Sequence, residues 1–479
     1  MKKKSLSKNA VLNTLKTVLS YIFPLITIPY ITRVLQVEAV GVFNFSNSII
    51  SYFVLIAGLG VGTYAIREGT QYRDSESNIS NFVSEVFTIN VYSTIVSYIL
   101  LFLTIGIVPK LKDYTYAILI LSVEIIFTTI GVNWVCNIYE DFMFIAVQSI
   151  GVQAVSLLLT LVFVKNPEDI YKYIAIVAFS KSASSIINFI YIRIKYCRFK
   201  FLFHRNLKKH IKPIMIMFST SVAMTIYVSS DTTMIGFMLS DYQVGLYSTA
   251  VKIYQIVKNV LAAILTVLIP RFALLTKENE KETICALFSK VFNLLTIMIF
   301  PATVGLIVTS RDVVRLVAGI SYIEGADSLR LLCVAISFSL IATLYASCVL
   351  IPNKKEGIVF KATVISAVVN ILLNIFFIPL WGINGAAITT IIAEAIVCII
   401  TIIESREDIK LNNIKNNLIS VGCGCLGILI ASAVCQFLMY NYLVRLCVTI
   451  IAGVIIYLLI LVIMRNQIVL ECMNRFKKK

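Results

Sequence analysis

The amino-acid sequence predicts an all-α polytopic membrane protein with about 14 transmembrane helices. Of its 479 residues, 59% are apolar and only 14% are charged, whereas soluble domains carry about 25% charged residues. The mean hydropathy is +0.90. Apolar runs about as long as a bilayer-spanning helix recur along the whole chain, which excludes a string of soluble domains.

A window of about 20 residues places the spans, with short loops between them and no inserted soluble domain. The predicted spans are 10–32, 42–64, 82–107, 115–137, 142–164, 172–194, 213–238, 244–268, 285–308, 328–351, 358–378, 383–403, 416–438 and 442–464. The first run follows Lys2–Lys4 and lacks a small-residue cleavage site, so we interpret it as a retained helix rather than a signal peptide. Polar reversals are predicted at Gln36–Gly41, Asn166–Asp169 and Pro379–Gly385.

The first predicted helix pair, Pro24–Asp74, has an echo in the second half of the chain. About 204 residues after Val40-Gly41-Val42-Phe43 stands Val244-Gly245-Leu246-Tyr247, and the same interval matches Arg67 to Arg271. A repeat at this spacing in so apolar a chain predicts two halves of one membrane protein, each opening with the same helix pair.

The repeat and the basic loop divide the chain into four predicted parts. Residues 1–194 form an N-lobe with spans 1–6, residues 195–212 a basic linker, and residues 213–403 a C-lobe with spans 7–12. Residues 404–479 hold spans 13 and 14 and a basic tail. Lysine and arginine are about three times as frequent in the tails and even-numbered loops as in the odd-numbered loops, which predicts cytoplasmic termini and a cytoplasmic linker.

The chain carries no recognisable catalytic, metal or nucleotide motif. The net charge is +17, and the basic residues behind it border the helices on one side of the membrane. This distribution is explained by membrane topology and attraction to anionic lipid headgroups rather than by a nucleic-acid partner. Cys423-Gly424-Cys425 lies in an apolar helix with no histidine nearby, so no metal site is predicted. No phosphate loop occurs, and the only histidines, His204 and His210, fall in the linker. We therefore predict no cofactor, no catalytic residue and no enzyme.

Charged residues within the spans are the candidate functional residues. A charge near the bilayer centre costs roughly 2.5–3.5 kcal/mol, so each needs a polar lining or a partner. Those predicted within spans are Lys16, Glu124, Lys181, Asp231, Lys252, Lys258 and Glu394. By sequence position Lys16, Lys181 and Lys258 have no obvious carboxylate partner. They are therefore predicted to line a cavity that accepts an anion such as a phosphate-bearing substrate.

The other charged candidates have structural alternatives. Asp231 and Lys252 lie on neighbouring spans at similar depth and are predicted to form a pair, which could simply hold the two helices together. Arg33, Arg67 and Arg271 lie at helix ends. For Arg67 and Arg271 the alternative is that the long cationic side chain is an anchor at the cytoplasmic interface.

Three stretches carry a family resemblance. They are Gly41–Phe45 with Tyr64–Glu68 and Arg73-Asp74, then Ser230–Gly236 with Val244–Ser248 and Lys252, and finally Gly382–Ala387 with Glu394. They resemble the first helix pair, its second-half counterpart and the twelfth span of Wzx-type polysaccharide flippases. These flippases belong to the multidrug/oligosaccharidyl-lipid/polysaccharide exporter superfamily. The likeness extends over nearly the whole chain.

The resemblance implies a MATE-like fold, with an N-lobe and a C-lobe around a central cavity that opens alternately to each side. It implies transport of undecaprenyl-diphosphate-linked oligosaccharide repeat units from the inner to the outer leaflet of the bacterial cytoplasmic membrane, for surface polysaccharide biosynthesis. The expected partners are this lipid-linked glycan, membrane lipids, and polysaccharide polymerase and chain-length proteins. The candidates for holding the diphosphate are Lys16, Lys181, Lys258, Arg33, Arg67 and Arg271. Spans 13 and 14 lie outside the repeat and are expected to help form a path for the lipid tail.

Three other functions stay open. A MATE-like ion-coupled exporter of small cations would use Glu124, Asp231 and Glu394 as coupling groups, but the basic excess within the spans disfavours it. A lipid II flippase would have a similar fold and charge. A membrane scaffold for a polysaccharide-synthesis complex would use the linker 195–212 as its docking surface.

Overall fold

The computed structural model describes residues 23–202, 207–278, 280–411 and 414–471. Within these ranges the chain is α-helical with short connections and has no β-strand. The α-helices are α1 (23–34), α2 (Gln36–Gly58), α3 (Val61–Gly69), α4 (Glu76–Ile107), α5 (Thr115–Ile130), α6 (Trp134–Ile138), α7 (Phe142–Phe163), α8 (Ile170–Lys195), α9 (Lys208–Met238), α10 (Asp241–Glu278), α11 (Lys281–Val317), α12 (Ala326–Tyr345), α13 (Glu356–Ser405), α14 (Ile414–Leu438) and α15 (Tyr442–Ile463). Twelve helical segments in the described ranges are long and apolar enough to cross a membrane. The predicted all-α polytopic class is confirmed.

Helix α13 accounts for two of the predicted spans. A straight helix of its 50 residues would measure about 75 Å, more than twice the hydrocarbon core of about 30 Å. Pro379 lacks the amide proton needed in a helix interior, and Gly382 adopts φ 57° and ψ −138°, outside the helical region. The chain folds back there, since the Ser366 hydroxyl donates a hydrogen bond to the Ala393 carbonyl oxygen at 2.8 Å. The reversal predicted at Pro379–Gly385 is confirmed.

The first predicted reversal is shorter than expected. Residues 36–41 already lie in α2, and at this turn Gln36 is the residue with a positive φ, 63°. One residue in the left-handed region is enough to redirect the chain. Glu38 then lies in the first turn of α2, where an acidic side chain interacts favourably with the helix dipole. The prediction of a polar reversal across Gln36–Gly41 was therefore wrong.

The chain divides into two compact units, Met1–Gly245 and Leu246–Lys479. In the first unit, loops separated by an even number of spans meet. The Tyr139 hydroxyl donates to the Arg73 carbonyl oxygen at 3.2 Å at one end of α4, and the Lys110 ammonium donates to the Leu239 carbonyl oxygen at 3.2 Å at the other. Loops therefore alternate between the two ends, as the predicted order of spans requires.

The second unit shows the same alternation. At one end the Lys355 ammonium contacts Asp408 Oδ2 at 2.7 Å, which joins the loop before α13 to the segment after it. At the other end Arg445 at the start of α15 contacts Asp312 of α11, with Nη2–Oδ1 at 2.5 Å. Each pair joins loops that the predicted order of spans places on the same side.

The two glycines of the repeated motif form one close helix crossing within the first unit. A Cβ added at Gly41 would lie 1.9 Å from the carbonyl oxygen of Asp241, and one added at Gly245 would lie 2.1 Å from the carbonyl oxygen of Val37. Backbone atoms cannot rotate away as a side chain can, so only glycine fits at either position. The starts of α2 and α10, which carry the two copies of the motif, therefore pack directly on each other.

The segment between α8 and α9 is anchored on α4. The Lys200 amide donates to the Ser84 hydroxyl oxygen at 3.1 Å, and the Leu202 amide donates to the Thr88 hydroxyl oxygen at 3.0 Å. Cys197 is buried beside them, and this burial raises the pKa of its thiol to about 12, which makes the thiol unreactive at neutral pH. The described part of the basic linker is thus a packed connection.

Candidate functional site

The first unit holds an ion pair midway along its helices. The Lys181 ammonium, near the centre of α8, lies 2.6 Å from Glu124 Oε2 on α5. Asn47 of α2 brings its Oδ1 to 3.5 Å from the same ammonium. The Lys181 side chain is 39% exposed and the Glu124 side chain 20%. The pair is therefore compensated and still reachable.

The sequence around Lys181 explains why it stays reachable. Small residues, Ser180 and Ser182–Ser185, flank it on α8. The Ser182 hydroxyl donates to the Ala178 carbonyl oxygen one turn back, at 2.8 Å, and so satisfies itself within the helix. The small neighbours leave space around the ammonium, and the Ser182 hydroxyl does not compete for it.

The second unit holds a more enclosed pair. The Lys258 ammonium of α10 lies 3.0 Å from Glu394 Oε1 in the second arm of α13. Tyr254, one turn before Lys258, donates its hydroxyl to Glu394 Oε1 at 3.3 Å and accepts from the Lys258 ammonium at 3.4 Å. The Glu394 side chain is 7% exposed and the Lys258 side chain 26%. Three side chains thus form one compact polar cluster.

These pairs correct the expectation that Lys181 and Lys258 lack carboxylate partners. Their partners lie 57 and 136 residues away in the sequence, so position along the chain did not reveal them. Glu124 and Glu394, expected as helix-pairing or coupling groups, are those partners. An anion that binds either lysine must share it with a carboxylate. Lys16 lies outside the described residues.

The side chains of the three candidate arginines are exposed. The Arg33 guanidinium donates to the Pro29 carbonyl oxygen of its own helix at 3.1 Å. Arg67 contacts Glu68 with Nε–Oε1 at 3.2 Å, and its side chain is 56% exposed. Arg271 is exposed and has no ion-pair partner among the described residues. Their part in substrate binding stays a prediction, and their exposure fits interfacial anchors equally well.

Asp231 and Lys252 belong to different compact units. Asp231 is buried on α9 in the first unit, and Lys252 lies on α10 in the second. Their pairing stays a prediction.

A buried network that the sequence did not reveal joins α3, α4 and α9. The Tyr64 hydroxyl lies 2.6 Å from His210 Nδ1, His210 Nε2 lies 2.7 Å from Glu85 Oε2, and Lys209 Nζ lies 2.9 Å from the same oxygen. His210 is 4% exposed and Glu85 3%. His210 lies in the first turn of a helix rather than in a loop, because α9 begins at Lys208. A carboxylate near the start of the predicted span 82–107 was the sign that could have revealed the network.

Hydroxyl groups also line the contact of α2 with α9. The Ser51 hydroxyl donates to Ser229 Oγ at 3.2 Å, and the Thr233 hydroxyl donates to Ser48 Oγ at 3.0 Å. Tyr52 adds a third contact, 3.1 Å from Thr233 Oγ1. The spacing of three and four residues places these groups on one face of each helix.

Comparison with known proteins shows the family to which this chain belongs. The family described as "Polysaccharide biosynthesis protein" matches residues 6–276, more than half of the chain. The chain belongs to this family. It is also similar to a Shigella dysenteriae protein named as a candidate O-antigen transporter, with 21% identity over 399 residues that cover 82% of this chain and 98% of that protein.

Solved structures share the fold. A lipid II flippase MurJ in an inward closed conformation aligns with a TM-score of 0.79 at 17% identity, over 96% of this chain and 100% of MurJ. An inward-facing MATE-family multidrug resistance transporter of the MOP superfamily aligns with a TM-score of 0.56 at 16% identity, over 82% of this chain and 94% of that chain. At these identities the likeness shows the fold, which is the MurJ- and MATE-like fold that the sequence resemblance implied.

Proposed function

We propose that this protein is a flippase for undecaprenyl-diphosphate-linked oligosaccharide repeat units. It moves them from the inner to the outer leaflet of the bacterial cytoplasmic membrane by alternating access, as one step of surface polysaccharide biosynthesis. Three findings support this: membership of the polysaccharide biosynthesis family, likeness to a candidate O-antigen transporter, and the flippase fold. Among the side chains, the observation that carries it is the half-exposed Lys181 in the middle of a span.

In this proposal Lys181 binds the diphosphate. An ammonium at the centre of a span is costly unless it is compensated, and Glu124 at 2.6 Å supplies that compensation in the absence of substrate. A diphosphate offers more negative charge and more acceptor oxygens than one carboxylate, and charge-assisted contacts of this kind are short and strong. Substrate therefore competes with Glu124 for the ammonium. Lys16, Lys258, Arg33, Arg67 and Arg271 remain further candidates for this role.

The hydroxyl groups at the α2–α9 contact are candidates for contacting the sugars. A hydroxyl group can both donate and accept a hydrogen bond, and none of Ser48, Ser51, Ser229 and Thr233 carries a charge. Such contacts would tolerate different glycans.

We further propose the topology that the basic residues predict. Both termini and the linker 195–212 face the cytoplasm, the N-lobe comprises residues 1–194, the C-lobe residues 213–403, and residues 404–479 add two spans and a tail. In this arrangement the protein works beside membrane lipids, and polysaccharide polymerase and chain-length proteins are its candidate protein partners.

A leaflet assay tests the proposal. The full chain is reconstituted into vesicles with fluorescent undecaprenyl-diphosphate oligosaccharide, and a membrane-impermeant quencher reports the fraction in the outer leaflet. We expect protein-dependent loss of the protected pool, slowed by Lys181→Gln and unchanged by Arg406→Gln, an exposed control after α13. No movement of this lipid, together with ion-coupled efflux of small cations from the same vesicles, would replace the flippase with a cation exporter.

A further inference from the structure

A polar pocket of about 240 Å³ lies in the second unit, where α14 begins and α15 ends. Its polar wall is formed by Asn293, Asn416, Asn417, Arg465, Asn466 and Gln467. It shares no residue with the Lys258 cluster. Five of these six side chains are amides, which is unusual at the end of two spans whose interiors are otherwise apolar.

The side chains at the base of this pocket are hydrogen-bonded to one another and to α11. The Asn466 side-chain amide donates to Asn417 Oδ1 at 2.9 Å, and the Asn417 amide donates to Thr296 Oγ1 at 2.8 Å. The Ile468 backbone amide donates to Asn466 Oδ1 at 3.2 Å. Both asparagines are buried. These bonds fix the ends of α14 and α15 on α11.

Two groups of the pocket are available to a ligand. Asn293 is only 7% exposed, and its Oδ1 has no hydrogen-bond donor among the described residues. Arg465 is exposed and has no ion-pair partner in the described ranges. Its backbone has φ 53°, a left-handed conformation that usually takes glycine after a helix end. A buried acceptor without a donor and an uncompensated guanidinium in a strained position both call for a ligand.

We propose that this pocket binds the headgroup of an anionic glycerophospholipid that carries free hydroxyl groups. Phosphatidylglycerol has this chemistry. The Arg465 guanidinium binds the phosphate with two parallel hydrogen bonds, and Asn293 Oδ1 accepts a bond from a headgroup hydroxyl. The ends of two membrane-spanning helices lie at headgroup depth, where anionic lipids are concentrated. A bound lipid braces α14 and α15 on α11, beside the apolar contact of Tyr457 and Val421 with Ile297.

Lipid binding to the full-length protein tests this pocket. Detergent-solubilised protein is titrated with phosphatidylglycerol, and separately with phosphatidylcholine, and bound lipids are counted by native mass spectrometry. We expect one tight phosphatidylglycerol, and about tenfold weaker binding in Arg465→Gln, the loss of one charge-assisted contact. Asn293→Leu removes the acceptor without changing charge and should weaken binding similarly. Arg406→Gln, outside the pocket, should bind as the wild type does.

Four outcomes would overturn the proposal. One is equal affinity for the two lipids, and another is unchanged phosphatidylglycerol binding in Arg465→Gln. Equal loss in Arg406→Gln would assign the binding to diffuse surface charge. One-for-one displacement by undecaprenyl-diphosphate oligosaccharide would assign the pocket to the transported lipid instead. Because the readout is binding rather than transport, none of these results decides the flippase function.

Discussion

The two Lys–Glu pairs use the same chemistry in two different settings. Each includes the last span of its predicted half, but the signs are exchanged: Lys181 lies on span 6, and Glu394 lies on span 12. The carboxylate of the first pair is 20% exposed and that of the second only 7%, with the Tyr254 hydroxyl holding the second from a third side. Burial thus separates an open pair from an enclosed one, and we expect the enclosed pair to contribute more to stability.

The largest expected effect is on stability, at the enclosed pair. Lys258→Met leaves the Glu394 carboxylate buried without its cation. Breaking a buried pair costs about 3–5 kcal/mol, and we expect a loss of stability of this order. Melting temperature in detergent measures the loss.

The double variant Lys258→Met with Glu394→Leu is the control for this prediction. It removes both charges and should regain most of the stability. If the double variant is as unstable as Lys258→Met, loss of packing rather than an unpaired charge is responsible. Lys181→Met should destabilise much less, because the Glu124 side chain is less buried than that of Glu394.

Next in size is the effect on transport at the open pair. Lys181→Gln keeps a side chain that can reach Glu124 but removes the charge, and we expect flipping to slow about 10- to 100-fold, the worth of a charge-assisted contact. Lys181→Arg should keep most of the rate. The leaflet assay measures both, at matched protein levels. Equal rates for Lys181→Gln and the wild type would remove Lys181 from the substrate site.

A smaller effect separates the third members of the two clusters. Tyr254→Phe removes a hydroxyl that contacts both charged groups of the enclosed pair, and should lower stability by about 1 kcal/mol while leaving flipping unchanged. Asn47→Leu beside the open pair should do the reverse, slowing flipping with little loss of stability. Melting curves and flipping rates for both variants form one experiment. Identical profiles for the two variants would refute the assignment of stability to the enclosed pair and transport to the open pair.

The smallest effect is expected at Arg67. Its contact with Glu68 is exposed, and such pairs contribute about 0–1 kcal/mol. Arg67→Gln should change the melting temperature within error and slow flipping less than Lys181→Gln does. A larger transport defect in Arg67→Gln would move the phosphate-binding role toward the helix ends.

The repeated glycines show what a local sequence pattern can predict and what it cannot. The match of Gly41 to Gly245 predicted two related helix pairs, but it did not show that each glycine admits the backbone of the other copy. A clash at 2 Å is a property of two distant segments, and no local pattern encodes it. The burial of His210 was missed for the same reason, since it depends on Tyr64 and Glu85, which lie on other helices.

Composition and periodicity by themselves determined the membrane class, the order of the spans and the break in α13, because insertion into a bilayer is decided by length and hydropathy along the chain. They also singled out Lys181, Lys258, Glu124 and Glu394, because a charge within an apolar run is costly wherever it is placed. Only the tertiary structure decided which lysine meets which glutamate. Pairing needs atoms within about 4 Å, and that distance is set by helix packing between residues far apart in the sequence.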